Sequence, residues 1–240
     1  MSLQNKKIVV IGGSSGVGLA VAKAAAAEGA AVVIASRSAE KVGHACAAAA
    51  PLALEGRVLD VSDEAAVQAF FAALGPFDHL VTTPVIFTSK ARLAEQATAE
   101  MRALFDIKFW GQYYAARHAA PFLRPGGSIT LSSGQLSHRP VPGSVPRASV
   151  NGAVEALGRA LAVELAPVRV NTICAGVIAT ERWHHMEEKE REASFARIAE
   201  TLLVGRIASA EDIAHTYLYA MTNRYTTGSV ILVEGGALLV

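Results

Sequence analysis

The sequence predicts an α/β fold in which one mostly parallel sheet carries helices on both faces. Short apolar runs alternate with longer segments of helical periodicity along all 240 residues. A cluster of glycines joins the first apolar run to the first helical segment. No linker, low-complexity stretch or internal repeat divides the chain, so we expect one doubly wound domain covering residues 1–240.

Seven short apolar runs are predicted to be strands buried on both faces, because such strands show continuous apolar stretches instead of alternation. They are Lys7–Ile11, Ala31–Ala35, Ala53–Leu59, His79–Thr82, Ser128–Leu131, Arg169–Cys174 and Val230–Val233. The helices predicted between them are Gly18–Glu28, Ala39–Ala49, Asp63–Leu74, Glu95–Phe122, Ser149–Leu165 and Ala210–Met221. Gly29 after the first helix and Ser62 before the third are typical stop and start signals. Parallel strands need right-handed crossovers, so the helices should cover both faces of the sheet.

The segment 181–204 is longer than a crossover between the sixth and seventh strands requires. It is highly charged between residues 187 and 192, and its apolar or aromatic residues are Trp183, Met186, Phe195, Ile198, Leu202 and Leu203. A segment that follows the carboxyl end of a strand lies beside the crevice where open α/β sheets bind ligands. It is either a lid over a substrate pocket or a solvated helix, and we favour the lid.

Charge and cysteine content exclude several function classes. The 22 basic residues nearly balance the 21 acidic ones, and no run of like charge indicates a nucleic-acid or membrane-surface partner. Cys46 and Cys174 cannot form a disulfide framework or a metal cluster by themselves. The apolar run before Gly12 is too short for a secretory core or a membrane span. We therefore expect a cytoplasmic protein with no metal, nucleic-acid or membrane partner.

The first strand leads into a glycine-rich turn at the start of the first helix. Gly12, Gly16 and Gly18 permit a tight turn, a close backbone approach to a pyrophosphate and close packing of helix on strand. The free N–H groups of the helix N-terminus favour an anion there. The turn is therefore predicted to bind the phosphates of a dinucleotide. The other residues predicted to line it are Ser14, Ser15 and Val17.

The glycine spacing G-x-x-x-G-x-G resembles that of the short-chain dehydrogenase/reductase family, and the resemblance covers almost the whole chain. The other matching segments are Asp60-Val61, Ser132-Ser133, residues 169–173, residues 176–180, Gly228 and residues 233–236. The resemblance implies a Rossmann fold, a nicotinamide dinucleotide and a homodimer or homotetramer. It also implies that Asp60 and Val61 flank the adenine, and that Ile178 and Thr180 hold the nicotinamide carboxamide.

One cofactor segment departs from the family pattern. Residues 82–85 stand where the family usually has Asn-Asn-Ala-Gly. Thr82 can still offer a hydroxyl near the adenosine ribose, whereas Val85 replaces a glycine and narrows the space beside the cofactor. By the same resemblance, we expect further cofactor contacts from Thr83, Pro84 and Gly176.

The end of the second strand decides between the two nicotinamide dinucleotides. An acidic side chain there would accept hydrogen bonds from a free ribose hydroxyl and repel a 2′-phosphate. This chain instead has Ser36, which removes that repulsion, and Arg37, whose planar charged fork suits a phosphate. The sequence therefore predicts NADP(H).

The positions for proton transfer do not match the family pattern. The family uses a serine, a tyrosine, a lysine four residues after the tyrosine, and an asparagine in an earlier helix. Ser133 matches the serine. Arg147 stands at the tyrosine position, Asn151 at the lysine position and Lys108 at the asparagine position. The segment 115–216 contains no tyrosine, so a small shift in alignment cannot supply one.

The substituted residues offer a different chemistry. Arg147 cannot release a proton near neutral pH, because the pKa of an arginine exceeds about 12. Lys108 could be the general acid if desolvation and Arg147 lowered its pKa, and Asn151 can still bind ribose hydroxyls. His138 is the other titratable candidate near Ser133, and we expect it to be exposed. Together Lys108 and Arg147 would suit an anionic substrate group, unless they point outward or pair with acids.

Functions from two classes remain open at this point. One is an NADP(H)-dependent oxidoreductase with a rebuilt proton relay that acts on a carbonyl, an imine or an activated alkene. Another is a catalytically inactive NADP(H)-binding sensor or scaffold, because the sequence keeps the family's cofactor-binding residues and changes its catalytic residues. A weaker possibility is a non-redox elimination or isomerisation. We favour the oxidoreductase, with a small-molecule substrate.

Overall fold

The computed structural model describes residues 2–86 and 91–240. Within these ranges, parallel strands form one seven-stranded sheet in the order β3-β2-β1-β4-β5-β6-β7. The strands are β1 Lys7–Ile11, β2 Ala31–Ser36, β3 Leu54–Val58, β4 Phe77–Thr82, β5 Leu123–Ser132, β6 Arg169–Ala175 and β7 Val230–Val233. The strand order reverses between β1 and β4, so the predicted doubly wound Rossmann architecture is confirmed.

Helices connect these strands on both faces of the sheet. They are α1 Gly16–Ala27, α2 Ala39–Ala48, α3 Glu64–Leu74, α4 Thr98–Phe105, α5 Gly111–Ala119, α6 Val145–Glu164, α7 Glu188–Ala199 and α8 Ala210–Thr222. In the described part of the chain, none of them is both long enough and apolar enough to cross a bilayer.

Two apolar cores lie on the two faces, because alternate side chains of a strand point in opposite directions. Ile8 and Val10 of β1 pack in the core beneath α1, α2 and α8. Val9 and Ile11 pack in the core beneath α3, α5 and α6. All four side chains are buried. The turn after β1 therefore opens into the crevice between the two halves of the sheet.

The edge strands correct the prediction that every strand is buried on both faces. β3 pairs only with β2, four of its five residues are exposed, and Val58 keeps 59% of its surface accessible. β7 pairs only with β6, and none of its residues is buried. An edge strand has one neighbour, so an apolar sequence alone does not bury it.

The predicted helix over residues 95–122 is interrupted in the structure. A π-helical turn, Asp106–Trp110, separates α4 from α5, and short 3₁₀ turns flank the pair. Gly111 follows the π turn and packs against Val61, where a Cβ atom would come within 2.8 Å of a valine methyl. Helix α6 begins earlier than predicted, which places Arg147 in its first turn. Lys108 and Arg147 thus both lie at irregular or terminal helical positions.

The segment 181–204 forms a 3₁₀ turn at Glu181–Trp183 and then α7, which has no buried residue. The Trp183 indole N–H donates to the Ile178 carbonyl at 3.0 Å, and its ring meets Phe195 edge-on with centroids 5.2 Å apart. At the other end, the Val204 N–H donates to the Gly235 carbonyl at 3.3 Å. The segment is therefore tied to the sheet at both ends.

Candidate active site

The turn between β1 and α1 accepts only glycine at its critical positions. Gly12 has a φ of +83°, and a Cβ atom there would lie 2.7 Å from the Thr83 carbonyl oxygen. A Cβ atom on Gly18 would overlap the Gly12 carbonyl. Gly16 also has a positive φ, +50°. The missing side chains leave the backbone open at the helix start, as phosphate binding requires.

The N-terminus of α1 already holds an anionic oxygen. Ser15 is the N-cap residue, but its side chain makes no capping hydrogen bond. Instead the Gly16 N–H donates to Glu181 Oε2 at 3.0 Å. A carboxylate in this place shows that the helix end can bind a negatively charged oxygen such as that of a pyrophosphate. Ser14 and Val17, beside it, are half-buried.

The end of β2 carries the residues predicted to distinguish a 2′-phosphate from a free ribose hydroxyl. Ser36 is half-buried and Arg37 is exposed. Asp60 accepts hydrogen bonds from the Ser62 N–H and hydroxyl, at 3.0 and 2.7 Å. Burial would raise the pKa of Asp60, but these hydrogen bonds and the charge of Arg37 hold it below its usual value. The Arg37 guanidinium therefore lies close enough to Asp60 for their charges to interact.

The segment after β4 supports the glycine turn. The Thr83 hydroxyl donates to the Ile11 and Gly12 carbonyls, at 3.2 and 3.3 Å. Thr82 is fully buried, and its hydroxyl donates to Gln112 Oε1 at 2.7 Å. The structure therefore uses the Thr82 hydroxyl inside the protein, whereas the sequence interpretation directed it to the ribose. Pro84 is buried, and Val85 is 54% exposed.

Gln112 was not identified from the sequence. Its Nε2 donates to the Lys108 carbonyl at 2.6 Å and to the Ser132 carbonyl at 3.1 Å. Its Oε1 also accepts the Ser132 N–H, at 2.9 Å. This fully buried amide fixes the π turn against the ends of β4 and β5. The available signal was its position four residues after Lys108 in the predicted helix over residues 95–122.

Lys108 lies among other charged groups at the carboxyl end of the sheet. The pKa of Lys108 is lowered to about 8, mainly by burial and in addition by the charges of Arg182 and Arg147, while Cys174 and Glu155 act in the opposite direction. Arg147 is half-buried, and burial lowers its pKa as well. Lys108 is therefore cationic at neutral pH and releases its proton more easily than an ordinary lysine.

Ser133 belongs to a buried polar cluster centred on Glu155. The hydroxyls of Ser133 and Ser137 donate to Glu155 Oε1 at 2.9 and 2.6 Å. Nε2 of His138 lies 3.1 Å from Glu155 Oε2. His138 is exposed, as the sequence predicts, yet it is joined to this cluster. Burial raises the pKa of the Cys174 thiol to about 11, and Glu155 contributes to that rise.

Glu155 is the second residue that the sequence interpretation missed. It lies four residues after Asn151 and eight after Arg147, on the same face of α6. This spacing was the available signal. His138, Glu155 and Cys174 place their potential ligand atoms within 4.8 Å of one another, although the sequence interpretation predicted no metal site.

Asn151 has an unsatisfied acceptor. It is 3% exposed, and its Nδ2 donates to the Gly134 carbonyl at 2.9 Å. Its buried Oδ1 has no hydrogen-bond partner among the described residues. A buried amide oxygen without a partner is costly, and a ligand hydroxyl would satisfy it. Asn151 therefore suits the ribose contact expected of it.

The strand-end residues after β6 complete the crevice. The Gly176 N–H donates to the Val233 carbonyl at 2.9 Å. A Cβ atom on Gly176 would lie 2.8 Å from Glu234 Cα, so close packing requires glycine there. Ile178 forms an isolated bridge with Ala208. The Thr180 side chain lies near Gly16, because a Cβ atom there would meet the Thr180 methyl at 3.4 Å.

Comparison with known proteins identifies this arrangement. A family model described as enoyl-(acyl carrier protein) reductase matches residues 12–237. The short-chain dehydrogenase/reductase ATR9 of Stachybotrys chlorohalonatus is 33% identical over 252 residues, which cover 99% of both chains. The chain belongs to the short-chain dehydrogenase/reductase family.

Solved structures agree with that assignment. A small-chain dehydrogenase in complex with NADPH is 37% identical, with a TM-score of 0.86 over 99% of this chain and 100% of that chain. The MalC reductase/Diels-Alderase of Malbranchea aurantiaca is 29% identical, with a TM-score of 0.92 over 99% and 98% of the two chains. Short-chain dehydrogenases/reductases are oxidoreductases that use a nicotinamide cofactor, and the predicted family and reaction class are confirmed.

The residues of this short-chain dehydrogenase/reductase fit a nicotinamide dinucleotide. The glycine turn has no room for side chains, and the N-terminus of α1 binds a carboxylate where a phosphate is expected. At the other end of the crevice, the buried Oδ1 of Asn151 has no hydrogen-bond partner among the described residues, so it can accept a hydrogen bond from a cofactor hydroxyl. That Arg147 and Asn151 stand at the family's tyrosine and lysine positions stays a prediction from the sequence.

Proposed function

We propose that this protein is an NADP(H)-dependent reductase of a carbonyl, imine or activated alkene that carries an anionic group. The observation that carries the proposal is a group of three cations: Arg147 and Arg182 lie close enough to Lys108 for their charges to lower its pKa. The bound cofactor would supply the hydride. Charge-assisted hydrogen bonds from lysine and arginine favour a carboxylate over a neutral alcohol.

Each residue has a defined role in this proposal. Ser133 holds the reacting oxygen, and Asn151 binds the ribose of the cofactor. Lys108 and Arg147 bind the anionic group and stabilise negative charge that develops on the substrate. Arg182, at the start of segment 181–204, adds a third charge, so this segment acts as the substrate lid.

A turnover screen tests this function. NADPH oxidation is followed with ketones, imines and enones, each offered as a matched pair with and without a carboxylate. We expect the carboxylated member to be preferred by about tenfold or more in kcat/KM, the value of one charge-assisted hydrogen bond. Equal rates for both members would contradict the anionic substrate. A protein that binds NADPH and reduces none of them would instead be a sensor or scaffold.

The choice of NADP(H) over NAD(H) rests on Arg37. This exposed guanidinium lies at the end of β2, and its charge helps to lower the pKa of Asp60. Replacing Arg37 by Ala should weaken NADPH binding by about 10- to 100-fold and leave NADH binding unchanged. Fluorescence titration measures both constants. Arg117→Ala, on α5 away from the crevice, is the control; wild-type protein that binds NADH more tightly would contradict the assignment.

The proposed assembly is a homodimer or homotetramer. Exposed apolar residues lie on the three elements through which we expect contact: Trp110 beside α5 is 42% exposed, Val163 on α6 is 82% exposed, and Leu232 on β7 is 47% exposed. Such residues favour association when they are covered.

A further inference from the structure

A chain of polar contacts, one hydrogen bond and one ion pair, runs from buried Ser133 through Glu155 to His138 at the protein surface. Ser133 is 8% exposed and Glu155 is 5% exposed. The His138 side chain, in contrast, is 37% exposed and can exchange protons with water. The Ser133 hydroxyl donates a hydrogen bond to Glu155 Oε1 at 2.9 Å, and Nε2 of His138 lies 3.1 Å from Glu155 Oε2 as an ion-pair contact. Both distances are short enough for a proton to pass once donor and acceptor are aligned.

We propose that His138 and Glu155 form a proton relay that recharges Ser133, and that Ser133 is the group that protonates the substrate. This inference rests on the proposed reductase function and names the proton source that Arg147 and Asn151 cannot provide. Glu155 and His138 act through Ser133 and do not themselves touch the substrate.

Each proton transfer in the relay breaks one bond to hydrogen and forms another. As hydride reaches the electrophilic carbon, the electron pair of the double bond moves to the substrate oxygen or other acceptor atom. That atom takes the hydroxyl proton of Ser133, and the O–H bond of Ser133 is remade with a proton from the Glu155 carboxyl group. Glu155 is reprotonated by the His138 imidazolium, which takes its proton from water. In oxidation, every transfer runs in the opposite direction.

The hydrogen-bond pattern explains why Ser133 needs a carboxyl group as its partner if it is to donate a proton to the substrate. With Glu155 ionised, the single proton of Ser133 is donated to Glu155 Oε1 and is not available to the substrate. With Glu155 protonated, the carboxyl group becomes the donor and the serine hydroxyl is free to turn to the substrate. The protonation of Glu155 therefore controls the direction in which Ser133 donates.

Glu155 contacts both Ser133 and His138, and this position between them is what makes it the proton carrier. Ser137 donates to the same Oε1 atom, and Cys174 has its pKa raised by burial and stays a neutral thiol. Lys108 is a nearby cation, so it can compensate the Glu155 carboxylate after the proton has left. Lys108 is also the rival proton donor, and the experiment separates the two.

The kinetic test uses the best substrate of the turnover screen. Glu155→Gln should lower kcat by about 100-fold, the lower end of what acid–base catalysis contributes, while NADPH binding stays within twofold of wild type. Glu155→Asp should recover part of the rate. His138→Ala should lower kcat by about tenfold, and added imidazole should restore it, because the side chain is reached from solvent. The solvent deuterium effect on kcat should increase in His138→Ala and fall again with imidazole.

A matched control exists between α5 and α3. His118 Nε2 lies 3.0 Å from Glu64 Oε1, which reproduces the His–Glu contact outside the crevice. His118→Ala should keep the wild-type kcat and show no response to imidazole. A rate unchanged in Glu155→Gln, or lost in Lys108→Met with no imidazole response in His138→Ala, would overturn the relay and make Lys108 the donor.

A measurement without turnover keeps the relay distinct from the reductase function. In protein labelled with ¹⁵N-histidine, the Nε2–H of His138 should give a downfield, slowly exchanging proton signal that His138→Ala and Glu155→Gln both remove. Absence of that signal in the wild type overturns the relay. Protein that shows the signal but reduces nothing in the screen overturns the reductase function, and with it the catalytic use of the relay.

Discussion

Lys108 has opposite effects on folding and on binding. Its ammonium group is desolvated, so its pKa falls from 10.5 to about 8 in the folded protein. Between these two values the unfolded chain binds more protons than the folded chain, and stability therefore rises with pH in this window. At neutral pH the buried charge costs stability, while it would attract the proposed anionic substrate.

Lys108→Met should therefore stabilise the fold while it weakens substrate binding. We expect a rise in Tm of at least about 2–4 °C at pH 7, equivalent to about 1 kcal/mol in a protein of this size. The gain should shrink as the pH rises above 8, because the wild type then loses the charge. Calorimetry at pH 7 and pH 9 measures this, with exposed Lys41→Met as the control. An unchanged or lower Tm at pH 7 would contradict the desolvation of Lys108.

Arg147 and Asn151 offer a second test at the residue scale. The wild type should show at most a trace of ordinary ketone reduction, because no phenol occupies the family's position. Arg147→Tyr combined with Asn151→Lys should bind NADPH and raise reduction of neutral ketones by about 100-fold or more, the contribution typical of acid–base catalysis. Initial rates with a neutral ketone measure this. Wild-type reduction of that ketone at ordinary enzyme rates would refute the prediction.

At the scale of elements, segment 181–204 and α1 meet at one hydrogen bond. The first residue of the segment, Glu181, places its carboxylate on the Gly16 N–H. The next residue, Arg182, interacts with Lys108 and Arg147. The same short turn thus touches the phosphate end and the substrate end of the crevice. A cofactor phosphate would displace Glu181, so cofactor binding should move this turn.

Glu181→Gln should tighten NADPH binding by about two- to fivefold. Removing the carboxylate removes a competitor for the helix N-terminus and a charge that repels the phosphates, and one charge at a helix end is worth about 0.3–1 kcal/mol. Fluorescence titration at low salt measures the effect. Glu188→Gln, at the start of α7, should leave the affinity unchanged; an equal gain there would show that only net charge matters.

At the scale of the whole molecule, α5, α6 and β7 leave apolar surface uncovered. Val163 is 82% exposed, although it lies on a helix whose other face packs against β6. A single exposed valine is ordinary, but similar residues occur on the neighbouring elements proposed for assembly.

Val163→Glu should therefore weaken assembly. We expect light scattering to give a dimer or tetramer for the wild type and a smaller species for the variant at the same concentration, because a buried unpaired carboxylate is costly. Val58→Glu, on the opposite edge strand β3, should assemble as the wild type does. A monomeric wild type would refute the proposed assembly.

Local pattern was sufficient for the architecture. The apolar runs and helical periods located the strands, and the glycine spacing placed the phosphate turn between β1 and α1. Both are signals carried by adjacent residues, because burial of a strand and the conformation of a tight turn leave local constraints on residue type. That Lys108, Arg147 and Asn151 occupy substituted catalytic positions was predicted through the family resemblance and stays a prediction.

Contacts between distant segments decided the rest. The sequence did not show that β3 is an edge strand, that Gln112 joins a π turn to β5 twenty residues away, or that Glu155 lies between Ser133 and His138. Buried polar groups must find partners wherever the fold brings them together, and that choice leaves no local period in the chain. The sequence by itself determined the fold and the glycine turn between β1 and α1, whereas the hydrogen bonds around Ser133 exist only because the tertiary structure brings α6 and the loop after β5 together.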